Sequence, residues 1–185
     1  DLVRGDTSDI YVLTLADNSV KRIVDQAGPD TGPRWSPDGS AIVFRSAMGN
    51  PRYFHANGRL AVVNVAGGTP KSLTDGFDES PSLVQWTRDG IYFSALQKTE
   101  MHLFRADPAT ARISRVSTSP AGFGVSFTSD DRQVAMAMGT GAHLVEVYVT
   151  ALDRWQPRKL TNSTEQVNGW TLPVSEVISW KSRDG

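Results

Sequence analysis

A five-residue phrase recurs three times along this chain: Trp35-Ser36-Pro37-Asp38-Gly39, Trp86-Thr87-Arg88-Asp89-Gly90 and Phe127-Thr128-Ser129-Asp130-Asp131. Trp86 follows Trp35 by 51 residues, and Phe127 follows Trp86 by 41. A repeat of this length, built from short strands and turns, is a single supersecondary unit. It buries its faces by stacking on its neighbours. Within the phrase, proline presets φ at the second turn position and glycine takes the left-handed conformation, so a tight three-residue hairpin loop is expected. Asp131 stands where the other copies have glycine. Aspartate enters the left-handed region at some cost, so the same turn is expected there, slightly strained.

Each repeat reads as four strands. The short strand A ends at the aromatic residue, as in Gly32-Pro33-Arg34-Trp35. Strand B covers 41–47, 91–96 and 133–138 in nearly unbroken apolar runs, the pattern of a strand buried on both faces. Strand C covers 9–15, 59–65, 101–107 and 145–152 and is rich in Val, Tyr and Leu. Strand D covers 20–24, 71–74, 113–117 and 158–161. It is short and carries Lys, Arg, Ser and Thr, as suits the outer edge of a sheet. Trp35 and Trp86 are expected in the core between sheets. No segment sustains the spacing of an amphipathic helix.

The expected fold class is therefore all-β. It is a partial β-propeller of about three and a half four-stranded antiparallel blades. Residues 1–25 supply the last two strands of a preceding blade, 26–161 three whole blades, and 162–185 an exit segment. A ring needs roughly four to eight blades. An open blade face of about 500 Å² left wet forfeits roughly 12 kcal/mol of apolar burial. The chain is thus expected to be part of a larger protein, or to cover its open faces by self-association.

Charge and composition exclude several classes of function. The net charge is −1, so bulk charge gives no argument for nucleic acid or an anionic membrane. Cysteine is absent, which excludes disulfides and thiolate chemistry. No run of about 18 apolar residues is present, so no membrane span is expected. The compartment is not readable, whether cytoplasmic or periplasmic.

Asp9-Ile10-Tyr11-Val12, Pro33-Arg34-Trp35-Ser36-Pro37-Asp38-Gly39 and Ile42-Val43-Phe44 resemble the propeller repeat shared by TolB-type proteins and the prolyl oligopeptidase family. Lys71-Ser72-Leu73-Thr74 and Lys159-Leu160-Thr161 fit its closing strand. The tail narrows the resemblance. Leu160-Thr161-Asn162, then Glu176-Val177-Ile178-Ser179-Trp180-Lys181-Ser182-Arg183-Asp184-Gly185, is similar to the crossing into the α/β-hydrolase domain in the acylaminoacyl-peptidase and dipeptidyl aminopeptidase branch. The other reading of Trp180–Gly185 is a fourth strand A. The resemblance implies a parent serine peptidase for short peptides, with this propeller limiting access to a hydrolase domain of the same parent chain. The alternative is a TolB-like periplasmic propeller acting as a protein–protein interaction module.

The chain itself holds no Gly-x-Ser-x-Gly nucleophile elbow. The string Gly124-Val125-Ser126-Phe127 lacks the closing glycine and sits in strand A. No catalytic residue and no cofactor are expected. His55, His102 and His143 are scattered, so no metal site is expected, and each reads as a solvated or edge histidine. Gly139-Thr140-Gly141 reads as a plain hairpin. One stretch stands out: Asn50–Gly58 is inserted between strands B and C of the first whole blade. It carries Arg52, Tyr53, Phe54 and His55, with no periodic reason to be apolar. Either these aromatics fold onto their own blade, or the loop meets a substrate, the hydrolase domain or a partner subunit.

Overall fold

The computed structural model describes residues 7–140 and 143–183. Its four sheets are antiparallel. The first has two strands, β1 (Tyr11–Thr14) and β2 (Ser19–Arg22). The second holds β3 (Asp30–Trp35), β4 (Ala41–Ser46), β5 (Arg59–Asn64) and β6 (Lys71–Ser72), hydrogen-bonded in that order. The third holds β7 (Ser82–Thr87), β8 (Gly90–Gln97), β9 (Glu100–Ala106) and β10 (Ile113–Arg115). The fourth holds β11 (Phe123–Phe127), β12 (Gln133–Thr140), β13 (His143–Ala151) and β14 (Arg158–Lys159). This is the all-β, partial-propeller architecture that the repeat implies. Residues 1–6, Gly141, Ala142, Asp184 and Gly185 lie outside the described residues.

Three clusters of buried side chains hold the sheets in file, and alternation along the inner strands β4, β5, β8 and β9 divides their buried residues between them. Ile42, Phe44, Ala61 and Val63 turn back onto Ile10, Ile23 and Val24 of the two-stranded sheet. Val43 and Leu60, one residue out of phase, turn forward onto Ile91, Phe93 and Phe104. Tyr92 and Leu103 then turn forward onto Val134 and Met136. Aromatic edges reinforce the seams. Phe77 meets Phe93 and Phe104 at centroid distances of 5.3 and 5.0 Å, and Tyr92 meets Phe127 at 5.0 Å.

The two tryptophans of the repeat part company here. Trp86 pairs with Ile91 and packs on the seam formed with the four-stranded sheet before it. Trp35 pairs with Ile42, so it faces the two-stranded sheet, and it is 52% exposed. The expectation of a core position fails for Trp35 because, among the described residues, the sheet it faces has only two strands. Strand β12 departs in the same way. Val134 and Met136 are buried while Ala135 and Ala137 are only half-buried, since among the described residues no further sheet covers their face.

The turns follow one chemistry. Ser36 donates its amide to Ala41 O and takes the Ala41 amide on its hydroxyl. Thr128 does the same with Gln133. The enclosed loops, 37–40 and 129–132, are therefore one residue longer than expected, because a hydroxyl replaces a backbone carbonyl in the ladder. Gly39 and Asp131 both take positive φ, 71° and 57°. The second copy differs: Thr87 pairs directly with Gly90, leaving a two-residue loop. Beyond β14 the described tail holds a 3-10 turn, Ser163–Val167, and no strand.

Candidate functional site

The strand D ends carry a second repeated device. Thr74, Ser117 and Thr161 each take a strand C amide on the hydroxyl: Leu60 at 3.0 Å, Leu103 at 3.0 Å and Val147 at 2.9 Å. The residue just before each of those amides is polar and different: Arg59, His102 and Glu146. One position at the start of strand C therefore places an Arg, a His and a Glu at the same end of successive blades. Of the three, His102 and Glu146 are buried and only Arg59 is half-buried, so only the Arg59 position is open to a ligand.

His102 is 4% exposed, which corrects the expectation of a solvated or edge histidine. Its Nδ1 lies 3.0 Å from Ser117 Oγ, and its Nε2 lies 3.4 Å from Glu100 Oε2. The Ser–His–Glu chain imitates a hydrolytic triad, but it is not one. Ser117 is buried, and its hydroxyl already serves the Leu103 amide, so no substrate carbonyl reaches it. Among the described residues no group of three or more His, Cys, Asp or Glu could hold a metal.

Glu146 is 2% exposed and gathers the tail. Its carboxylate accepts from the Thr161 hydroxyl, the Ser163 and Thr164 amides and the Thr164 hydroxyl, at 2.5 to 2.9 Å. The Thr161 hydroxyl leads in holding its pKa down, from 4.5 to about 2. The backbone amides add to this, and desolvation opposes it. The bonds fasten a short 3-10 turn, Ser163–Val167, against β13.

At Arg59 the rim opens into a cavity of about 330 Å³. Its floor comes from β4 and β5, and its far wall from the link between β6 and β7, including Asp75 and Ser80. The 50–58 insertion forms the near wall. Gly58 N donates to Ser80 Oγ at 3.1 Å and so pins the loop across the opening. Gly28, at φ 84°, lets the loop come close: a Cβ there would lie 2.6 Å from Ala47 Cβ and 3.4 Å from Tyr53 Cδ1. Below the floor, Asp30 is buried beside Gln26, which donates to its Oδ1 at 2.9 Å and to Ser46 Oγ at 2.7 Å. Desolvation pushes the Asp30 pKa up, against the hydrogen bonds of Ser46 and Gln26.

Of the four residues singled out on the insertion, the cavity takes one. Tyr53 is half-buried and lines it. The Phe54 ring lies tilted against Tyr53, with centroids 4.1 Å apart, but is 59% exposed. Arg52 and His55 are exposed and outside the lining. The Tyr53–His55 segment is itself a 3-10 turn. Sequence reasoning missed Arg45, which lines the cavity from within β4. Its signal was a lone charge inside an otherwise apolar strand.

No protein-family model matches the chain. A curated relative, dipeptidyl-peptidase 5 of Porphyromonas gingivalis, is 33% identical over 113 residues, which is 60% of this chain and 16% of the relative. The chain thus spans about a sixth of that protein. Among solved structures, TolB from Acinetobacter baumannii superposes with a TM-score of 0.65 at 17% identity, over 83% of this chain and 37% of that one. Dipeptidyl peptidase 4 of Porphyromonas gingivalis superposes with a TM-score of 0.66 at 12% identity, over 85% of this chain and 23% of that one. The fold is that of the TolB-like and peptidase-associated β-propellers.

Proposed function

We propose that this chain is a non-catalytic, TolB-like propeller section that acts as a protein–protein interaction module. The observation that carries the reading is the pair of apolar faces at the two ends of the arc. At one end Tyr11, Leu13 and Val20 are exposed, and at the other Phe123, Val145 and Val147. Continuous apolar surface of this kind marks a docking face. The fold likeness to TolB over most of the chain supports the same reading. Sedimentation equilibrium of the 185-residue chain tests it. The reading expects self-association that Leu13→Glu and Val147→Glu abolish. A monomer at every concentration, indifferent to those changes, overturns it.

A second reading makes the docking intramolecular. In it the partner is an α/β-hydrolase domain of the same parent chain, and the propeller limits access of short peptides to that domain's active site. The identity to dipeptidyl-peptidase 5 favours this setting. The parent coding sequence beyond Gly185 decides it. About 250 further residues containing Gly-x-Ser-x-Gly support the peptidase, whereas further Trp-Ser-Pro-Asp-Gly repeats support the free-standing module.

A further inference from the structure

The Arg59 cavity is a built site whose chemistry goes beyond docking and does not depend on it. Two guanidinium groups line it, and they are in different states. Arg59 is engaged: its Nη1 donates to Phe77 O at 3.3 Å, and its Nε lies 3.8 Å from Asp75 Oδ1. The Arg45 backbone pairs with Thr31 and Leu60, but its guanidinium makes no hydrogen bond or ion pair with any described residue; the residue is exposed, and its guanidinium lies beside Gly58 at the edge of the insertion. A guanidinium has five donors in a planar fork and no means of losing its charge at neutral pH. Arg45 therefore offers a bidentate donor set with no protein partner at the solvent-open side of the cavity.

The rest of the lining narrows what can meet it. Two Arg against one Asp leave a single net positive charge, which suits a monoanion better than a phosphate dianion. A carboxylate matches the fork in plane and spacing. Pro29, Ala47, Met48 and the Tyr53 ring give an apolar wall beside it. Asn50 and Asn57 add amide groups able to meet a peptide bond. The volume lies at the low end of ligand pockets, room for one or two amino-acid residues. The wall is also particular to this blade: strands β4 and β5 are joined by residues 47–58, whereas β8 and β9 are joined by 98–99 alone.

We infer that this cavity binds the C-terminal carboxylate of a short peptide, with Arg45 as the residue that takes the carboxylate and the Tyr53 wall receiving the last side chain. The probe is N-acetyl-alanyl-phenylalanine, titrated calorimetrically into the 185-residue chain beside its C-terminal amide. The acid is expected to bind at least about tenfold more tightly than the amide, a ratio that rises as salt is lowered. Arg45→Gln should bring the acid down to the level of the amide, and Arg45→Lys should restore part of the difference. The Arg45 guanidinium makes no bond to a described residue, so the near-ultraviolet spectrum of both variants should match the parent.

Equal binding of acid and amide overturns the inference, as does acid binding that survives Arg45→Gln. So does the absence of any saturable binding up to about 10 mM. Inorganic phosphate competing as well as the acid would make this a general anion site and would overturn the peptide assignment. None of these outcomes touches the self-association test, which involves Leu13 and Val147.

Discussion

Trp35 and Trp86 occupy the same place in the repeat, follow the same strand and pair with an isoleucine in the same way, yet one stands in water and the other in a seam. The difference is across the gap. Trp86 faces a four-stranded sheet, while Trp35 faces one that has two strands among the described residues. In a radial stack, burial belongs to the pair of sheets rather than to the residue. The same rule separates Ile91, Tyr92 and Phe93, all buried in a sheet flanked on both sides, from Ala135 and Ala137 in the last sheet.

The largest test of that contrast lies inside the closed seam. Phe93 is fully buried between Phe77 and Phe104. Phe93→Ala should cost about 3–5 kcal/mol in urea denaturation, because the surrounding sheets cannot collapse into the void. A cost below about 1 kcal/mol would mean that the seam is loose. The tryptophans come next. Trp86→Ala should cost about 3 kcal/mol and Trp35→Ala under about 1 kcal/mol in the same assay, measured at a dilution where the chain is monomeric. Equal costs would break the comparison.

The tail sharpens it from another side, since Glu146 holds residues 161–164 by charge and hydrogen bonds rather than by apolar packing. A carboxylate whose folded pKa is depressed stabilises above its unfolded value and loses that contribution as pH falls through the folded one. Between pH 4.5 and about 2, the Ser163 and Thr164 amides should therefore lose hydrogen-exchange protection while those of β8 and β9 keep it. Glu146→Gln should release the same two amides at neutral pH. Protection unchanged by the substitution would show that something else holds the tail. The smallest effect belongs to Asp131→Gly. Relief of its positive φ gains up to about 1 kcal/mol. Loss of the bond from Gln85 Nε2 to Asp131 Oδ1 at 3.1 Å removes a similar amount. Thermal melting should move by no more than a few degrees.

The repeat carried the fold because Trp/Phe, turn residues and apolar runs recur in register, and each fixes a local geometry. Strand ends came out close to their expected positions for that reason. What stayed hidden depends on neighbours. Trp35 has the sequence of a core residue and lacks only the opposing strands. The cavity was half legible: the insertion announced itself by length and by Tyr53, but Arg45 looks like a flaw in an apolar strand until its face is known. Glu146 sits in a run of Val, Leu and Tyr, and nothing local to it announces the hydroxyls and amides that arrive from 161–164. The hydroxyl device was partly visible as Leu-Thr at 73–74 and 160–161, and masked in the middle blade by Val116-Ser117.

Hydroxyl-radical footprinting across a dilution series tests the open arc most directly, because it reads Trp35 and Trp86 in one sample. Trp35 should oxidise several-fold faster than Trp86 when the chain is dilute and become protected as concentration rises and its face is covered, with Trp86 slow throughout. Equal protection of the two at every concentration, or a Trp86 as reactive as Trp35, would contradict an arc of stacked sheets with open ends.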